Sequence, residues 1–330
     1  MQLYIDTIHT KLSVKNGTFL ISNESTKRLI SPRRVSSIAI LTNVLINSAA
    51  IKLAAKSEIP IVYFDQMGNL LAQLSGPSYL QQSRLRHAQM KFMHSEKGRN
   101  WVLQQLVLKT ELQLQTLELH EPRLTKLKSK WKELFESIEM KKEALKSINN
   151  HQPISSSSLM GIEGGIARLY FRAVNCILPE VYCFERRSRR PGKDYFNASL
   201  NYLYGMTYGE ITRSIHAAGL DTFVGGLHST THKENLVFDC IEVFRPLIDR
   251  LLIDLCLKES LQDHHFKTVK DGFWLSREGK RMIIEHFNQY MHRRISFAGK
   301  VRSIRRHMYA QVEDLKKQIH ECTRHVSNHL

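Results

Sequence analysis

The stretch GGLHSTTHKENLVFDCIEVFRP, residues 225–246, places acidic side chains in a segment that otherwise has the composition of a protein core. From Leu236 onward its apolar residues predict a buried helix, yet that helix also carries Asp239 and Glu242. The two carboxylates are three positions apart, so they lie on one helical face. Pro246 cannot donate a backbone hydrogen bond, and we therefore expect it to kink the helix or to mark a helix end.

Two histidines, His228 and His232, precede this helix, and His228 could fold back over its first turns. Two carboxylates and one imidazole would make a cation site with mixed oxygen and nitrogen ligands. The spacing alone favours a simpler interpretation, in which the acids are stabilised by the helix dipole and His228 caps or packs. The pair of histidines is also a poor zinc motif, because it lacks the Glu of the protease pattern and a nearby cysteine.

A second stretch, SSSSLMGIEGGIARLYF at 155–171, predicts a helix with Glu163 near its start. The glycines around Glu163 are poor helix formers, and they would allow another backbone or a substrate to approach closely. Taken by itself, the stretch is better explained as a flexible helix start with a solvated glutamate.

A third stretch, ERRSRRPGKDYFNASLNYLYG at 185–205, combines a basic loop with a predicted helix. The loop could clamp phosphates, and a solvated run of charge is the alternative. The basic residues are Arg186, Arg187, Arg189, Arg190 and Lys193, and the helix that follows presents Asn197, Asn201 and Tyr204 on one face. A second basic cluster lies near the C-terminus, at Arg293, Arg294, Lys300, Arg302, Arg305 and Arg306.

The charge of the whole chain agrees with such a role. Its 330 residues include 48 Lys and Arg against 31 Asp and Glu, a formal net charge of +17. An excess of this size favours a polyanionic partner, most simply a nucleic acid, although a basic fold without such a partner stays possible. The apolar fraction of 42% is that of an ordinary globular protein and argues against global disorder.

Hydrophobic periodicity predicts an α+β protein with an N-terminal β-rich domain, residues 1–85, and a larger all-α domain, residues 86–330. In KLSVKNGTFLIS, residues 11–22, two alternating runs flank Asn16 and Gly17, which is a strong hairpin signal. From Ser78 onward the apolar spacing becomes helical. A small hairpin around Asp271 and Gly272 is the one predicted interruption.

The five cysteines form no CxxC pair and are expected to be free thiols in a reducing compartment. The N-terminus alternates polar and apolar residues, unlike a signal peptide, and no stretch has the length of a membrane span. We therefore expect a cytoplasmic protein with no membrane association.

Together the three stretches resemble the CRISPR-associated integrase, the metal-dependent nuclease common to spacer acquisition. The resemblance rests on order, spacing and neighbours, which is far more specific than any single motif. Its elements are Glu163, RRSRRPGKD at 186–194, NASLNYLYG at 197–205, AGLD at 218–221, GGLH at 225–228 and DCIEVFRP at 239–246.

The resemblance implies that Glu163, His228 and Glu242 are the catalytic metal ligands. Asp239 would be a further catalytic acid that binds metal or orients His228 or a basic residue. Mg²⁺ or Mn²⁺ suits these ligands, and Mn²⁺ tolerates the imidazole better. The implied reaction is transesterification, in which a DNA 3′-hydroxyl attacks a phosphodiester of the CRISPR repeat, and the implied DNA-binding residues are the basic loop, the polar face of the next helix and Arg245.

The resemblance also implies partners and rival functions. The partners are double-stranded DNA (prespacer and CRISPR repeat), a second copy that forms a homodimer, and a small ferredoxin-like CRISPR-associated protein that bridges two dimers. Apolar strands such as SIAIL and IPIVYF in a domain too small to bury much of them alone predict that the dimer forms through residues 1–85. A structure-selective metal-dependent nuclease and a non-catalytic nucleic-acid-binding scaffold are the alternatives.

Overall fold

The N-terminal region is strand-rich and the remainder is predominantly helical, which confirms the predicted α+β class. The computed structural model describes residues 2–5, 7–35, 37–40, 42–64, 70–74, 76, 83–122, 125–148, 155–189, 191–228 and 233–327. The first eight strands are β1 (Gln2–Ile5), β2 (Thr10–Lys15), β3 (Thr18–Ser22), β4 (Lys27–Ile30), β5 (Ser37–Ile40), β6 (Val44–Ile46), β7 (Ile61–Phe64) and β8 (Leu70–Leu74), with helix α1 (Ser48–Lys56) between β6 and β7.

These strands form two four-stranded sheets. One has the order β1-β5-β7-β8, and the other has the order β4-β3-β2-β6. The predicted hairpin is β2–β3, in which Lys15 pairs with Thr18 and the turn residues Asn16 and Gly17 have φ values of 50° and 68°. Asparagine and glycine tolerate this left-handed backbone better than other residues, so the turn residues determine where the chain reverses.

The core of the sheet region consists mainly of branched aliphatic side chains from both sheets, with Phe19 and with Ala50 and Ala54 of α1. Leu12 and Phe19 of the β2–β3 hairpin are fully buried, as is Ile38 of β5. Since side chains alternate between the faces of a strand, burial of these positions fixes which face of each sheet is inward.

The helical region contains nine further helices among the described residues. They are α2 (Ser83–Met93), α3 (Glu96–Leu119), α4 (Thr125–Lys146), α5 (Ser156–Asn175), α6 (Tyr195–Ala218), α7 (Asn235–Ile241), α8 (Arg245–Leu257), α9 (Arg277–His292) and α10 (Ile304–Ser327). Helix α3 packs against α4, α5, α7 and α8. Its buried residues occur on several faces, as expected for a helix enclosed by others.

The helix predicted from Leu236 is interrupted between α7 and α8. Helix α7 ends at Ile241, and α8 begins at Arg245 with Pro246 in its first turn. Proline suits this position because the first N–H groups of a helix have no intrahelical acceptor. The predicted effect of Pro246 is confirmed, and Glu242 therefore lies at the junction of two short helices.

Two hairpins interrupt the helices. Strands β9 (Phe266–Val269) and β10 (Gly272–Leu275) form the predicted one, and β11 (Arg294–Phe297) and β12 (Lys300–Ser303) form a second that we did not predict from sequence. Its basic composition hides the alternation of Ile295 and Phe297. The turn residues Ala298 and Gly299 have φ values of 49° and 71°, and only the glycine is a recognisable turn signal.

The chain groups into two compact units. One comprises Met1–Met90, Tyr208–Thr222 and Val312–Leu330, and the other comprises Lys91–Thr207 and Phe223–Gln311. Every predicted catalytic and metal-binding residue belongs to the second unit. The boundary at residue 85 and the role of residues 1–85 in dimerisation stay predictions. None of the helices in the described ranges is long and apolar enough to cross a membrane.

Candidate metal centre and nucleic-acid interface

Three helical segments bring charged side chains together inside the second unit. Lys109 of α3 contacts the Glu163 Oε1 atom of α5 through its ammonium group, and its Nζ atom lies 2.5 Å from Oε2 of Glu242. Arg245 holds the other carboxylate oxygen of Glu242, with Nη1 and Oε1 2.7 Å apart. Two of the three predicted metal ligands thus converge on one cationic atom.

The cluster is largely removed from water. The side chains of Lys109 and Glu242 are 5% and 4% exposed, whereas that of Glu163 is 25% exposed. Burial by itself would raise the pKa of Glu242, but the charges of Arg245 and Lys109 outweigh it and hold that pKa below its ordinary value. Burial would lower the pKa of Lys109, and the two carboxylates outweigh it in the same way. The geometry therefore stabilises the charged forms of both residues.

Asp239 holds the segment that carries His228. Its Oδ1 atom lies 2.7 Å from Nδ1 of His228 and accepts a hydrogen bond from the backbone N–H of the same residue. Its Oδ2 atom accepts from the backbone N–H groups of Gly226 and Leu227, at 2.6 and 3.1 Å. A carboxylate on Nδ1 fixes the ring orientation and directs Nε2 away, which is how carboxylates usually orient metal-binding histidines.

Gly225 makes this close approach possible. A Cβ atom at this position would lie 2.7 Å from Oδ2 of Asp239 and 2.8 Å from the backbone carbonyl carbon of Asn235. Neither atom can move without disturbing helix α7 or its bonds to the 226–228 backbone. The first glycine of the GG pair in the opening stretch is thus explained by the approach of the loop to the start of α7.

The donor set fits a divalent cation in its chemistry. Glu163 and Glu242 already surround a positive charge, and Mg²⁺ is commonly held by one or two carboxylates, water and substrate phosphates. Within the described residues, no three His, Cys, Asp or Glu side chains form a ready-made metal cluster. Glu163 and Glu242 would hold the cation, His228 stays the predicted third ligand, and the Lys109 ammonium would have to leave its position between the carboxylates.

The side chains of the basic loop are of two kinds: some are bonded within the protein, and others are exposed to solvent. The Arg187 guanidinium donates to the side-chain oxygens of Asn197 and Asn201, and it lies 5.3 Å from the ring centroid of Phe171. Burial lowers the pKa of Arg187, although the neighbouring acid Asp249 acts in the opposite direction. Arg187 therefore fastens the loop to helix α6 rather than extending into solvent.

The polar face of α6 is used inside the protein. Asn197 is fully buried, accepts from the backbone N–H of Ser188 and donates to the carbonyl of Arg186. Asn201 donates to the carbonyl of Ser188. These amides shape the basic loop, and their predicted contacts with DNA stay predictions.

Tyr204 and Arg245 belong to one buried network with Asp249, an acid that we did not single out from sequence. The Tyr204 hydroxyl donates to Oδ1 of Asp249 at 2.6 Å, and the Arg245 guanidinium lies 5.3 Å from the centroid of the Tyr204 ring. Burial raises the pKa of Asp249 to about 6, against the opposing effects of Tyr204 and Arg187. Arg245 therefore links this network to Glu242.

Three other basic residues of the loop lie at the surface. Arg186, Arg189 and Lys193 are exposed, and nothing in the described parts of the chain pairs them with a carboxylate. Arg190 and His232 lie outside the described residues. The structure thus brings Glu163 and Glu242 together and joins His228 to Asp239, whereas it separates the loop into internal and surface residues.

Lys109 was missed because it has no motif. It is a single basic residue within VLQQLVLKTELQLQTLEL, residues 102–119, a helix whose apolar residues are spread around its circumference. A lysine in such a helix must find acidic partners, since an unpaired buried charge is strongly disfavoured. A charged residue in a helix with apolar residues on all sides was the one indication in the sequence, and it did not show which acids were the partners.

Comparison with known proteins identifies the family of the chain. Residues 3–289 match the family model described as CRISPR associated protein Cas1. A CRISPR-associated exonuclease Cas4/endonuclease Cas1 fusion from Leptospira interrogans is 34% identical over 266 residues, which are 78% of this chain and 48% of the fusion. The chain thus spans about half of that relative. A CRISPR-associated endonuclease Cas1 from Nanoarchaeum equitans is 27% identical over 96% of this chain and 95% of its own.

Solved structures show the same fold. A Cas1 protein from Thermotoga maritima superposes with a TM-score of 0.71 at 21% identity, covering 97% of both chains. A partial Cas6-RT-Cas1–Cas2 complex gives 0.72 at 21% identity over 97% of this chain and 96% of its own. A casposase bound to its integration product gives 0.68 at 22% identity over 97% and 95%. At these identities the structural likeness concerns the fold alone.

Proposed function

The chain belongs to the family of CRISPR-associated Cas1 proteins, and from that premise we propose that it is a metal-dependent DNA integrase that inserts short DNA fragments into a CRISPR array. The observation that carries the proposal is the convergence of Glu163 and Glu242 on the single ammonium of Lys109. Two carboxylates from separate helices, held around one positive charge, are the arrangement that a catalytic divalent cation needs.

The proposed reaction is transesterification by a DNA 3′-hydroxyl on a phosphodiester of the repeat. A Mg²⁺ or Mn²⁺ ion held by Glu163, Glu242 and His228 would polarise a phosphoryl oxygen and stabilise the charge of the leaving oxygen. Asp239 orients the His228 ring through Nδ1. Arg245 holds Oε1 of Glu242, so that the carboxylate keeps its position while the Oε2 side is used.

DNA binding is proposed to rest on exposed basic side chains. The net charge of +17 supports a polyanionic partner, and Arg186, Arg189 and Lys193 extend from a loop that Arg187 and Asn197 hold rigidly. A rigid loop loses little entropy when it binds a backbone phosphate. The proposed substrates are double-stranded prespacer and repeat DNA.

Two alternatives predict different products from the same site. A wild-type protein incubated with Mn²⁺, a fragment with free 3′-ends and a labelled repeat duplex should yield joined strands, visible as longer labelled products on a denaturing gel. Cleavage without joining would favour the structure-selective nuclease. Tight binding with neither product would favour the non-catalytic scaffold. A mixture with EDTA in place of Mn²⁺ is the control for the cation.

Assembly is proposed to follow from the sheet region. Leu29, Leu45 and Leu71 lie on edge strands of the first unit and are 58%, 64% and 67% exposed, so they are available for apolar contact with a partner. We propose a symmetric homodimer through residues 1–85, with a small ferredoxin-like CRISPR-associated protein bridging two dimers, since a fragment with two ends needs two strand transfers. The Cas1–Cas2 composition of a solved relative supports a partner of this kind.

Light scattering at micromolar concentration tests the dimer. The wild type should have the mass of two chains, and a Leu45→Asp/Leu71→Asp variant should have the mass of one. A monomeric wild type would contradict the proposal. A dimer that persists in the double variant would move the interface away from these strands.

A further inference from the structure

A basic segment far from the loop at 186–193 forms a surface that the proposed chemistry does not use. Residues 286–312 contain six arginines and lysines and no acid. The centre of the segment is the β11–β12 hairpin, and the flanking basic residues end helix α9 and begin helix α10. Such a run of one charge is unfavourable unless it is solvated or meets a polyanion.

The hairpin has an anchored face and an outward face. In its register Ile295 pairs with Arg302 and Phe297 pairs with Lys300, so these four side chains share one face. Phe297 is buried, and its ring centroid lies 5.8 Å from that of Phe244 and 5.2 Å from that of His307. This packing fastens the hairpin to the protein core, while Lys300, beside the turn on the same face, remains exposed.

The other face is available to solvent. It carries Arg294, Ser296, Val301 and Ser303, and Val301 is 58% exposed. Arg294 donates to the backbone carbonyl of Val301, which holds its guanidinium along the hairpin. A rigid two-stranded ribbon with an exposed guanidinium has the dimensions and the charge to lie against a DNA groove.

Five of the six basic side chains of this surface have no acidic partner in the described parts of the chain. Across the described residues, no carboxylate forms an ion pair with Arg293, Arg294, Lys300, Arg302 or Arg306. Lys109, Arg213 and Arg245 are by contrast each paired with a glutamate. Exposed charges that the protein itself leaves uncompensated are free to neutralise phosphates.

The residue on which Phe297 packs is close in sequence to the proposed metal centre. Phe244, on which Phe297 packs, comes two residues after Glu242 and directly before Arg245. Duplex held by the hairpin would therefore be held at a fixed distance from the segment that carries a proposed metal ligand. Fixed placement of a phosphodiester is what a transfer reaction requires.

We propose that the β11–β12 hairpin, with its flanking Arg293 and Arg306, is a second binding surface for the backbone of double-stranded DNA, separate from the loop at 186–193. The proposal rests on the proposed function for the identity of the polyanion. The charge pattern and the anchoring by Phe297 are independent of the reaction that the metal centre performs.

The test compares two triple variants with the same change in net charge. Arg294→Gln/Lys300→Gln/Arg306→Gln removes charge from the hairpin, and Lys130→Gln/Lys132→Gln/Lys141→Gln removes it from the exposed face of helix α4. Fluorescence anisotropy in EDTA gives the Kd for a labelled duplex at several salt concentrations. All substitutions are at surface positions, and circular dichroism melting of each variant verifies its folding.

The hairpin variant should bind more weakly at every salt concentration, and the slope of log Kd against log salt should fall by about 2 to 3, since each lost phosphate contact removes about 0.9. The α4 variant should keep the slope of the wild type. An equal loss in the two variants would overturn the proposal, because it would show a general effect of charge. An unchanged slope in the hairpin variant would overturn the proposal as well. If the triple variant melts early, the single change Lys300→Glu beside the turn repeats the test with a folded protein.

The same titration distinguishes this proposal from the proposed function. If the wild-type protein binds duplex with a steep salt slope but joins no strands, the integrase proposal is wrong. The hairpin proposal then still depends only on the salt slope of the hairpin variant. A hairpin variant that loses affinity for an RNA duplex and none for DNA would overturn the choice of partner.

Discussion

The Glu163–Lys109–Glu242 cluster and the β11–β12 hairpin use charge in opposite ways. In the cluster each charged group is matched by an opposite charge within contact distance, and two of the three side chains are almost fully buried. On the hairpin Arg294 and Lys300 are exposed, and neither forms an ion pair with a carboxylate among the described residues.

The difference follows from the dielectric environment. A charge removed from water must be paired, because its solvation is lost, whereas a charge in water can remain single until a partner arrives. Buried pairs therefore define the geometry of a reaction centre, and exposed unpaired charges define where a polyanion binds. The loop at 186–193 contains both kinds of charge: Arg187 is bonded to Asn197 inside the protein, and Arg189 is exposed to solvent.

The largest expected effect comes from removing a carboxylate of the cluster. Glu163→Gln should lower strand joining by at least about a thousandfold, because the cation supplies several kcal/mol of transition-state stabilisation. DNA affinity should change less than about threefold, since affinity rests on the basic surfaces. Gel assays of joining and anisotropy of binding measure the two quantities separately.

Glu139→Gln on helix α4 is the matched control and should leave both quantities unchanged. Glu163 is the better choice than Glu242 because its side chain is 25% exposed, so its loss disturbs folding less. Joining at a rate near that of the wild type would remove Glu163 from the set of metal ligands.

Replacing the buried ammonium tests whether it is a counter-ion to the two glutamates. Lys109→Met should lower the free energy of unfolding by about 3–5 kcal/mol in EDTA, because it leaves two carboxylates without their shared cation. Mn²⁺ should raise the Tm of this variant more than that of the wild type, since the metal no longer competes with the ammonium. Thermal melts with and without Mn²⁺ provide both numbers.

Lys109→Arg keeps the charge and serves as the comparison for that experiment. Its response to Mn²⁺ should resemble that of the wild type. Equal responses of all three proteins would mean that the metal does not bind between Glu163 and Glu242.

The orienting role of Asp239 predicts a smaller effect. Asp239→Asn places an amide where the His228 ring and three backbone N–H groups need an acceptor, so the ring orientation should be lost. Mutation of an orienting partner of this kind usually reduces metal affinity about 10–100-fold. Mn²⁺ binding followed by electron paramagnetic resonance measures this directly, with the exposed Asp271→Asn as control, and an unchanged Kd would leave Asp239 with a purely structural role.

The basic loop allows an arginine bonded within the protein and an exposed arginine of the same segment to be compared. Arg187→Ala should lower the free energy of unfolding by about 2–3 kcal/mol, because it leaves Asn197 and Asn201 without their charged donor. Arg189→Ala should alter stability by less than about 0.5 kcal/mol and reduce the salt slope of DNA binding by about 0.9. Urea unfolding and salt titrations of the two variants should therefore show opposite patterns. Similar behaviour of the two would refute the division of the loop.

The smallest expected effect is a pH dependence from Asp249. Burial raises the pKa of this acid from its ordinary 3.8 to about 6, so folding favours the protonated form. The stability that protonation provides is complete below about pH 4 and is lost as the pH rises through 6.

Asp249→Asn removes this titration and keeps an oxygen for the Tyr204 hydroxyl. Between pH 4 and pH 7 the Tm of the wild type should fall by a few degrees relative to that of the variant. Calorimetry at several pH values measures the difference, in which titrations of other groups cancel. A difference in Tm that is constant with pH would show that Asp249 titrates normally.

Signals that depend on a few neighbouring residues were predicted well from sequence. The Asn16–Gly17 turn follows from backbone conformations that few residues tolerate, and the helix break at Pro246 follows from a missing N–H. The β11–β12 hairpin escaped prediction because Ile295 and Phe297 alternate with polar residues for only two pairs, too briefly to separate a strand from the neighbouring helices.

The sequence by itself determined the division into a strand-rich and a helical region and the excess of positive charge, because each depends on local pattern or composition, and its resemblance to a known family supplied the candidate ligands Glu163, His228 and Glu242. Only the tertiary structure decided the partners of those groups. Lys109 meets carboxylates that are 54 and 133 residues away in the chain. Arg187 and Arg189 stand two positions apart with the same chemistry, and burial against Phe171 and Asn197 commits the first while the second stays in solvent. Which charge is paired depends on which surfaces the fold removes from water, and that is a property of long-range packing.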